Sequence, residues 1–221
     1  MRSIIKGHEP ESFASWKAGE TAEWVPSYDI LQKPEKLDLL VALIAEQEGS
    51  CCYCGRSITA DDSHIEHFEP QERNPSRALE FANLHASCIR GSERGDPLHC
   101  GHGKGNEFDP HRVIAPTEVG CEARFSYNRY TGAVAPTEPD DDSAHYMIGL
   151  LKLDIGFLRI RRREALDGMF DDDFEATATI SELERLAEQA TTTDPEGRRV
   201  AFGHVLARHA RALIELKRQA A

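Results

Sequence analysis

Residues 51–70 read CCYCGRSITADDSHIEHFEP, and what this stretch builds decides the fold. Cys51 and Cys54 are separated by two residues and followed by Gly55. At this spacing two thiolates of one tight turn reach a single tetrahedral zinc ion, and the glycine gives the turn its freedom. Cys88 and Cys100 supply a second pair, although eleven residues lie between them. Four thiolates from two such segments make a closed structural site with no open position for chemistry. The rival reading is a set of free buried cysteines, and Cys52, His99 and Cys121 leave the ligand list open.

The second half of the stretch, HIEHFEP at 64–70, reads as a short strand closed by Pro70. It sets a carboxylate, Glu66, directly before a histidine, His67. Such a pair at a strand end can divide labour, the carboxylate holding a divalent cation while the imidazole takes a proton from water. Asn83 in FANLHASC, and His102 and Lys104 in CGHGKG, follow within about forty residues and supply further polar groups. Taken singly, each has a plainer role: His64 as a hydrogen-bonded strand residue, Asn83 as a turn residue, Lys104 as a phosphate contact or a helix-surface charge.

The rest of the chain bounds these readings. With 221 residues, 40% hydrophobic, and a mean hydropathy of −0.51, the composition is that of a soluble globular protein. The start MRSIIKGHEPESF has no apolar core for a signal peptide, and no run approaches the roughly 18 apolar residues of a membrane span. No membrane association and a cytoplasmic location are therefore expected. In a reducing compartment, six cysteines point to metal or packing before disulfides. A net charge of −12 argues against a stand-alone nucleic-acid binder, whose affinity comes largely from neutralising phosphates. Any grip on nucleic acid then depends on a local patch or a partner. RIRRR at 159–163 and the arginines at 198 and 199 are local basic clusters, each read first as a solvated helix face.

Three segments are expected. Residues 1–48 form an irregular N-terminal stretch, with a short helix around SFASWKAG, followed by a helix from Pro34 that presents Leu37, Leu40, Val41 and Ile44 and stops at Gly49. Residues 49–135 form the second segment, of which 50–112 are rich in Gly, Cys, His and Asn and too polar to hold together by apolar burial, so a metal is the natural brace. Residues 136–221 are helical and a candidate docking surface for a partner. Asp140–Ser143 offers a cap, a break falls near Asp154–Gly156, and two further helices run at about 176–190 and 195–218, the last capped by Asp194. The expected fold class is α+β, a mainly helical body with an embedded zinc-braced ββα module.

The combination CCYCG, HIEHFEP, NLHASC and CGHGKG resembles the HNH, or ββα-metal, nuclease family in its zinc-braced form. With FSYNRYTGAV and IGLLKLDIGFLRIRRREAL added, residues 50–165 resemble PtuB, the HNH nuclease subunit of Septu and retron-associated antiphage systems. The resemblance implies an endonuclease that hydrolyses phosphodiester bonds in DNA or RNA. In it His67 is the general base, Glu66 a ligand of a catalytic Mg²⁺ or Mn²⁺, Asn83 the residue that orients the base or its loop, and His102 the second ligand of that ion. It also implies a PtuA-like ABC-type ATPase as partner, consistent with the lack of any nucleotide-binding loop here. One departure stands out: the common pattern has Asn or His directly after the last cysteine, where this chain has Gly101. Asn106 or Asp109 is then an alternative to His102. The competing class is a non-catalytic zinc module or a degenerate nuclease.

Overall fold

A computed structural model describes residues 1–89, 91 and 95–220. The elements are α1 (Glu11–Ala18), α2 (Glu35–Glu46), β1 (Ser63–His67), β2 (Leu84–Cys88), α3 (Cys100–Lys104), β3 (Phe125–Tyr127), β4 (Val134–Pro136), α4 (Asp142–Leu150), α5 (Gly156–Asp167), α6 (Asp172–Thr177), α7 (Ile180–Gln189) and α8 (Gly203–Gln219). The strands form two antiparallel pairs, β1 with β2 and β3 with β4, so the fold is α+β with small sheets among helices. No described helix is long and apolar enough to cross a membrane.

Local signals account for several helix starts. Asp141 caps α4 by accepting from the Ala144 amide at 2.9 Å, and α5 starts at Gly156, after the expected break. Thr179 and Glu182 close a reciprocal capping box on α7. Two expectations need correction. The buried residues of α2 are Leu39 and Leu43, while Leu37 and Val41 face solvent. The last helix begins at Gly203 and not at Pro195, because Asp194 accepts from the Arg198 amide at 2.7 Å and closes a turn instead of capping a helix.

Apolar packing falls into two clusters. One gathers Phe13, Leu39, Leu43, the cysteines, Leu84, Phe125, Met147, Leu151 and Leu158, and the second gathers Leu166, Phe170, Leu183, Val205, Leu206 and Ile214. Helix α5 contributes to both. Within its basic run, Arg162 is buried at 1% exposure, whereas the side chains of Arg159, Arg161 and Arg163 are exposed. The Arg162 guanidinium donates to the carbonyls of Gly132 (2.7 Å) and Leu153 (2.9 Å), tying the β3–β4 turn to the α4–α5 junction.

That turn admits only glycine at 132. Gly132 has φ +65°, and a Cβ there would lie 2.0 Å from the Arg159 carbonyl oxygen, which is backbone and cannot swing away. Gly132→Ala is expected to cost about 3 kcal/mol, or roughly 6–12 °C in Tm, read by thermal unfolding.

Candidate functional site

The Cys51–Cys54 turn closes through the Gly55 amide, which donates to the Cys51 carbonyl at 3.1 Å, and Gly55 itself takes φ +77°. The Cys52 amide donates to the Ala86 carbonyl at 3.2 Å, which docks the turn on β2. Cys88 ends β2 and Cys100 opens α3, so the strand and the helix present the other two thiols to the turn. All four sulfurs are buried and lie within 4.8 Å of one another, a cluster able to hold a metal ion such as zinc. Cys54 Sγ and Cys88 Sγ are 3.8 Å apart, and sulfurs at about 2.3 Å from a common tetrahedral centre lie roughly 3.8 Å apart.

The thiols already behave as one electrostatic unit. Burial raises the Cys51 thiol, but hydrogen bonds from Cys100, Cys52, Cys54 and Cys88 outweigh it and hold Cys51 well below its ordinary range. For Cys54, burial again raises, and the Cys100 and Cys88 contacts bring the thiol down to about 7. Cys100 is pushed well up by burial and by its sulfur neighbours. Without a cation the pocket accommodates little negative charge, and a dication removes that limit. The candidates left open by the sequence fall outside the four: Cys121 bonds to the Pro116 carbonyl elsewhere, and His99 Nε2 touches Cys88 Sγ at 3.4 Å as an outer neighbour.

Beside this cluster, β1 and β2 present one face to α3. Register pairs Glu66 with His85 and His64 with Ser87, so these four side chains share that face. The Gly101 amide at the start of α3 donates to Ser87 Oγ at 3.1 Å. Glu66 is 6% exposed, and its Oε1 receives the Tyr53 hydroxyl at 3.0 Å and Lys104 Nζ at 2.9 Å. Lys104 is buried, correcting its reading as a surface or phosphate-contacting charge. Its ammonium also donates to the carbonyls of His67 (2.7 Å) and Phe68 (3.0 Å), which uses all three of its protons. Burial alone would raise the Glu66 carboxyl, but the His64 hydrogen bond and the Lys104 charge more than offset it and keep the group ionised. His85 stays neutral, because burial brings its pKa down to about 3.

His67, at the strand end, is half-buried with its ring edge-on to Tyr28 at 4.4 Å. Its Nε2 lies 3.0 Å from the Ala78 carbonyl, which can only accept, so the proton sits on Nε2 and Nδ1 carries the basic lone pair. Burial first, then the charges of Lys104 and Lys36, lowers the His67 pKa. The Ala78 bond and Glu66 pull the other way without reversing the shift. Asn83, 1% exposed, accepts from the Glu69 amide (2.8 Å) and donates to the carbonyls of Glu69 (3.0 Å) and Arg77 (3.2 Å). It thereby fixes the 68–83 loop that carries Ala78. Asn83→Ala is expected to lose about 2–3 kcal/mol of stability from three bonds of about 1 kcal/mol each. It should also slow any His67-dependent reaction about 100-fold by freeing the loop, read by thermal unfolding and single-turnover kinetics.

Glu66, His67 and Lys104 line one hollow of about 190 Å³ with Pro70, Gln71 and Asn106. His102 stands to one side. Its Nε2 is 2.9 Å from the Ile89 carbonyl, and its ring packs at 4.4 Å on His64. Asp109 accepts from the His111 amide at 3.0 Å within its own turn. Sequence reasoning missed Tyr53, set aside His64 and gave Lys104 a surface role. Period-two alternation, which places residue 64 on the face of residue 66, was the available signal for His64. Compared with known proteins, the chain matches no family model and no curated relative.

Proposed function

We propose that this chain is a metal-dependent endonuclease of the HNH type, cleaving phosphodiester bonds in DNA or RNA. In this reading it is the effector of a Septu- or retron-type antiphage complex under a PtuA-like ATPase. One observation carries the reading: His67 is held by the Ala78 carbonyl, on a loop fixed by Asn83, beside an ionised Glu66, so that its free Nδ1 is a base in position. A neutral imidazole with one nitrogen oriented by a carbonyl is what proton abstraction from water needs. Nδ1 of His67 removes that proton as the water oxygen bonds to phosphorus, the bond from phosphorus to the 3′ oxygen breaks, and that oxygen takes a proton from solvent, leaving a 5′-phosphate and a 3′-hydroxyl. Glu66 would hold a Mg²⁺ or Mn²⁺ ion, which when bound would supply positive charge to the phosphate and the departing oxygen. Tyr53 and Lys104 keep the carboxylate in place and ionised. The four cysteines, a cluster able to hold a metal ion, would carry a structural zinc apart from the chemistry.

A second reading, a degenerate nuclease or non-catalytic zinc module, draws on the Lys104–Glu66 pair, which already neutralises the carboxylate, and on Gly101 in place of a ligand. Cleavage of mixed plasmid DNA and total RNA with Mg²⁺ or Mn²⁺, with and without a co-expressed ATPase partner, separates the two. Cleavage that His67→Ala abolishes at unchanged zinc content supports the nuclease. Intact substrate with the partner present supports the second reading.

A further inference from the structure

The two oxygens of Glu66 are unequally employed. Oε1 is taken by Tyr53 and Lys104, whereas Oε2 faces His64 Nε2 at 3.5 Å. The opposite nitrogen of His64, Nδ1, lies 2.6 Å from the Ile89 carbonyl and must carry a proton to make that contact. In the neutral ring Nε2 is therefore a lone pair, aimed at a second lone pair on Oε2. Two acceptors so placed repel unless a proton, which makes the long His64–Glu66 hydrogen bond noted above, or a cation lies between them. The 3.5 Å separation is long for a charge-assisted hydrogen bond, which runs at about 2.7–2.9 Å. Two neighbouring ligands of one octahedral ion, with bonds of about 2.0–2.2 Å, lie roughly 2.8–3.1 Å apart, so this pair has to close by only about half an ångström to share an ion.

The backbone opposite is built for this pair. A Cβ on Gly101 would fall 2.3 Å from Glu66 Oε2 and 2.7 Å from His64 Nε2, so the glycine leaves the room that these two atoms use. The space beside Gly101 on α3 is thus occupied by two donor atoms of β1.

Resting on the nuclease reading of Glu66, we propose that His64, through Nε2, is the second protein ligand of the divalent ion, with Glu66 Oε2 as the first. Two protein ligands suffice where water and substrate phosphate complete the shell. An imidazole beside a carboxylate departs from the all-oxygen shell typical of Mg²⁺, and Mn²⁺ serves as the spectroscopic probe of the site.

The test is Mn²⁺ binding by the zinc-loaded full chain, followed by EPR titration. One Mn²⁺ is expected beyond the zinc, bound at least tenfold more weakly by Glu66→Gln and by His64→Ala, and within about threefold of wild type by His102→Ala. Pulsed EPR adds a readout that packing alone does not move: coupling of Mn²⁺ to a histidine nitrogen, present in wild type and His102→Ala and lost in His64→Ala. Zinc content verifies that each variant is folded. Unchanged Mn²⁺ affinity in His64→Ala, or nitrogen coupling lost in His102→Ala instead, overturns the assignment while leaving the nuclease reading standing. No Mn²⁺ binding by wild type overturns the assignment too, and cleavage assays then judge the nuclease reading separately.

Discussion

Cys54→Ser is expected to remove the zinc and unfold the centre of the molecule, the largest stability effect of any substitution considered. Zinc bound to four thiolates contributes about 10–16 kcal/mol of folding free energy at neutral pH, as much as or more than the roughly 5–15 kcal/mol by which a typical domain is stable. The four sulfurs join a turn, the end of β2 and the start of α3, three pieces far apart in sequence. The loss should also spread to the C-terminal helix. The Phe202 amide donates to the Gly55 carbonyl at 2.8 Å, and the His204 ring fills the space beside Gly55, where a Cβ would lie 2.3 Å from its Cε1. Zinc content of one ion per wild-type chain and none in Cys54→Ser checks the first step. Hydrogen exchange at residues 202–206, protected with zinc and open after chelation, checks the second. Cys121→Ser, whose sulfur bonds to backbone carbonyls elsewhere, should keep its zinc. A Cys54→Ser chain that melts like wild type would reduce the cluster to buried thiols.

The cysteine cluster was legible because zinc demands few residue types at fixed spacing, and a glycine with φ +77° behind Cys54 is the turn that this spacing requires. The α2 face was not legible. Leu37, Leu39, Leu40, Val41, Leu43 and Ile44 surround most of that helix, so periodicity alone cannot choose a side. Packing against α1 and β2 selects Leu39 and Leu43. At the last helix, Pro195 looked like a first helical residue, but the Asp194 side chain found the Arg198 amide, and Phe202 then takes a left-handed backbone (φ 57°) before Gly203. A similar limit applies to charge. Lys104 looked like a surface residue because lysine is rarely buried unpaired, and its partner Glu66, 38 positions away, is a neighbour only in three dimensions. Glu66, His67 and Asn83 could be singled out as polar residues at strand ends, but the carbonyl that orients His67 belongs to Ala78, which no pattern of side chains reveals.

His67→Ala is expected to lower cleavage by about 10²–10⁴-fold, the usual contribution of a positioned general base, while zinc content stays at the wild-type level. The side chain is half-buried and makes one hydrogen bond, to Ala78, so its removal leaves the Asn83 contacts and the cysteine cluster in place. The pH dependence identifies the role. Only the neutral imidazole accepts a proton, and burial with the nearby Lys104 charge holds the His67 pKa below its ordinary 6.5. Cleavage should therefore be on its plateau at pH 7 and fall as pH drops through that lowered value, with the acid limb lying below 6.5. Asn83→Ala should depress the plateau yet keep an acid limb, because the base survives while its loop is loosened. His67→Ala should lose the limb together with the rate. A His67→Ala chain that cleaves at the wild-type rate, or an acid limb unchanged without the imidazole, would place the base elsewhere. The Glu66–His67 strand end would then be a polar brace between β1 and the 68–83 loop.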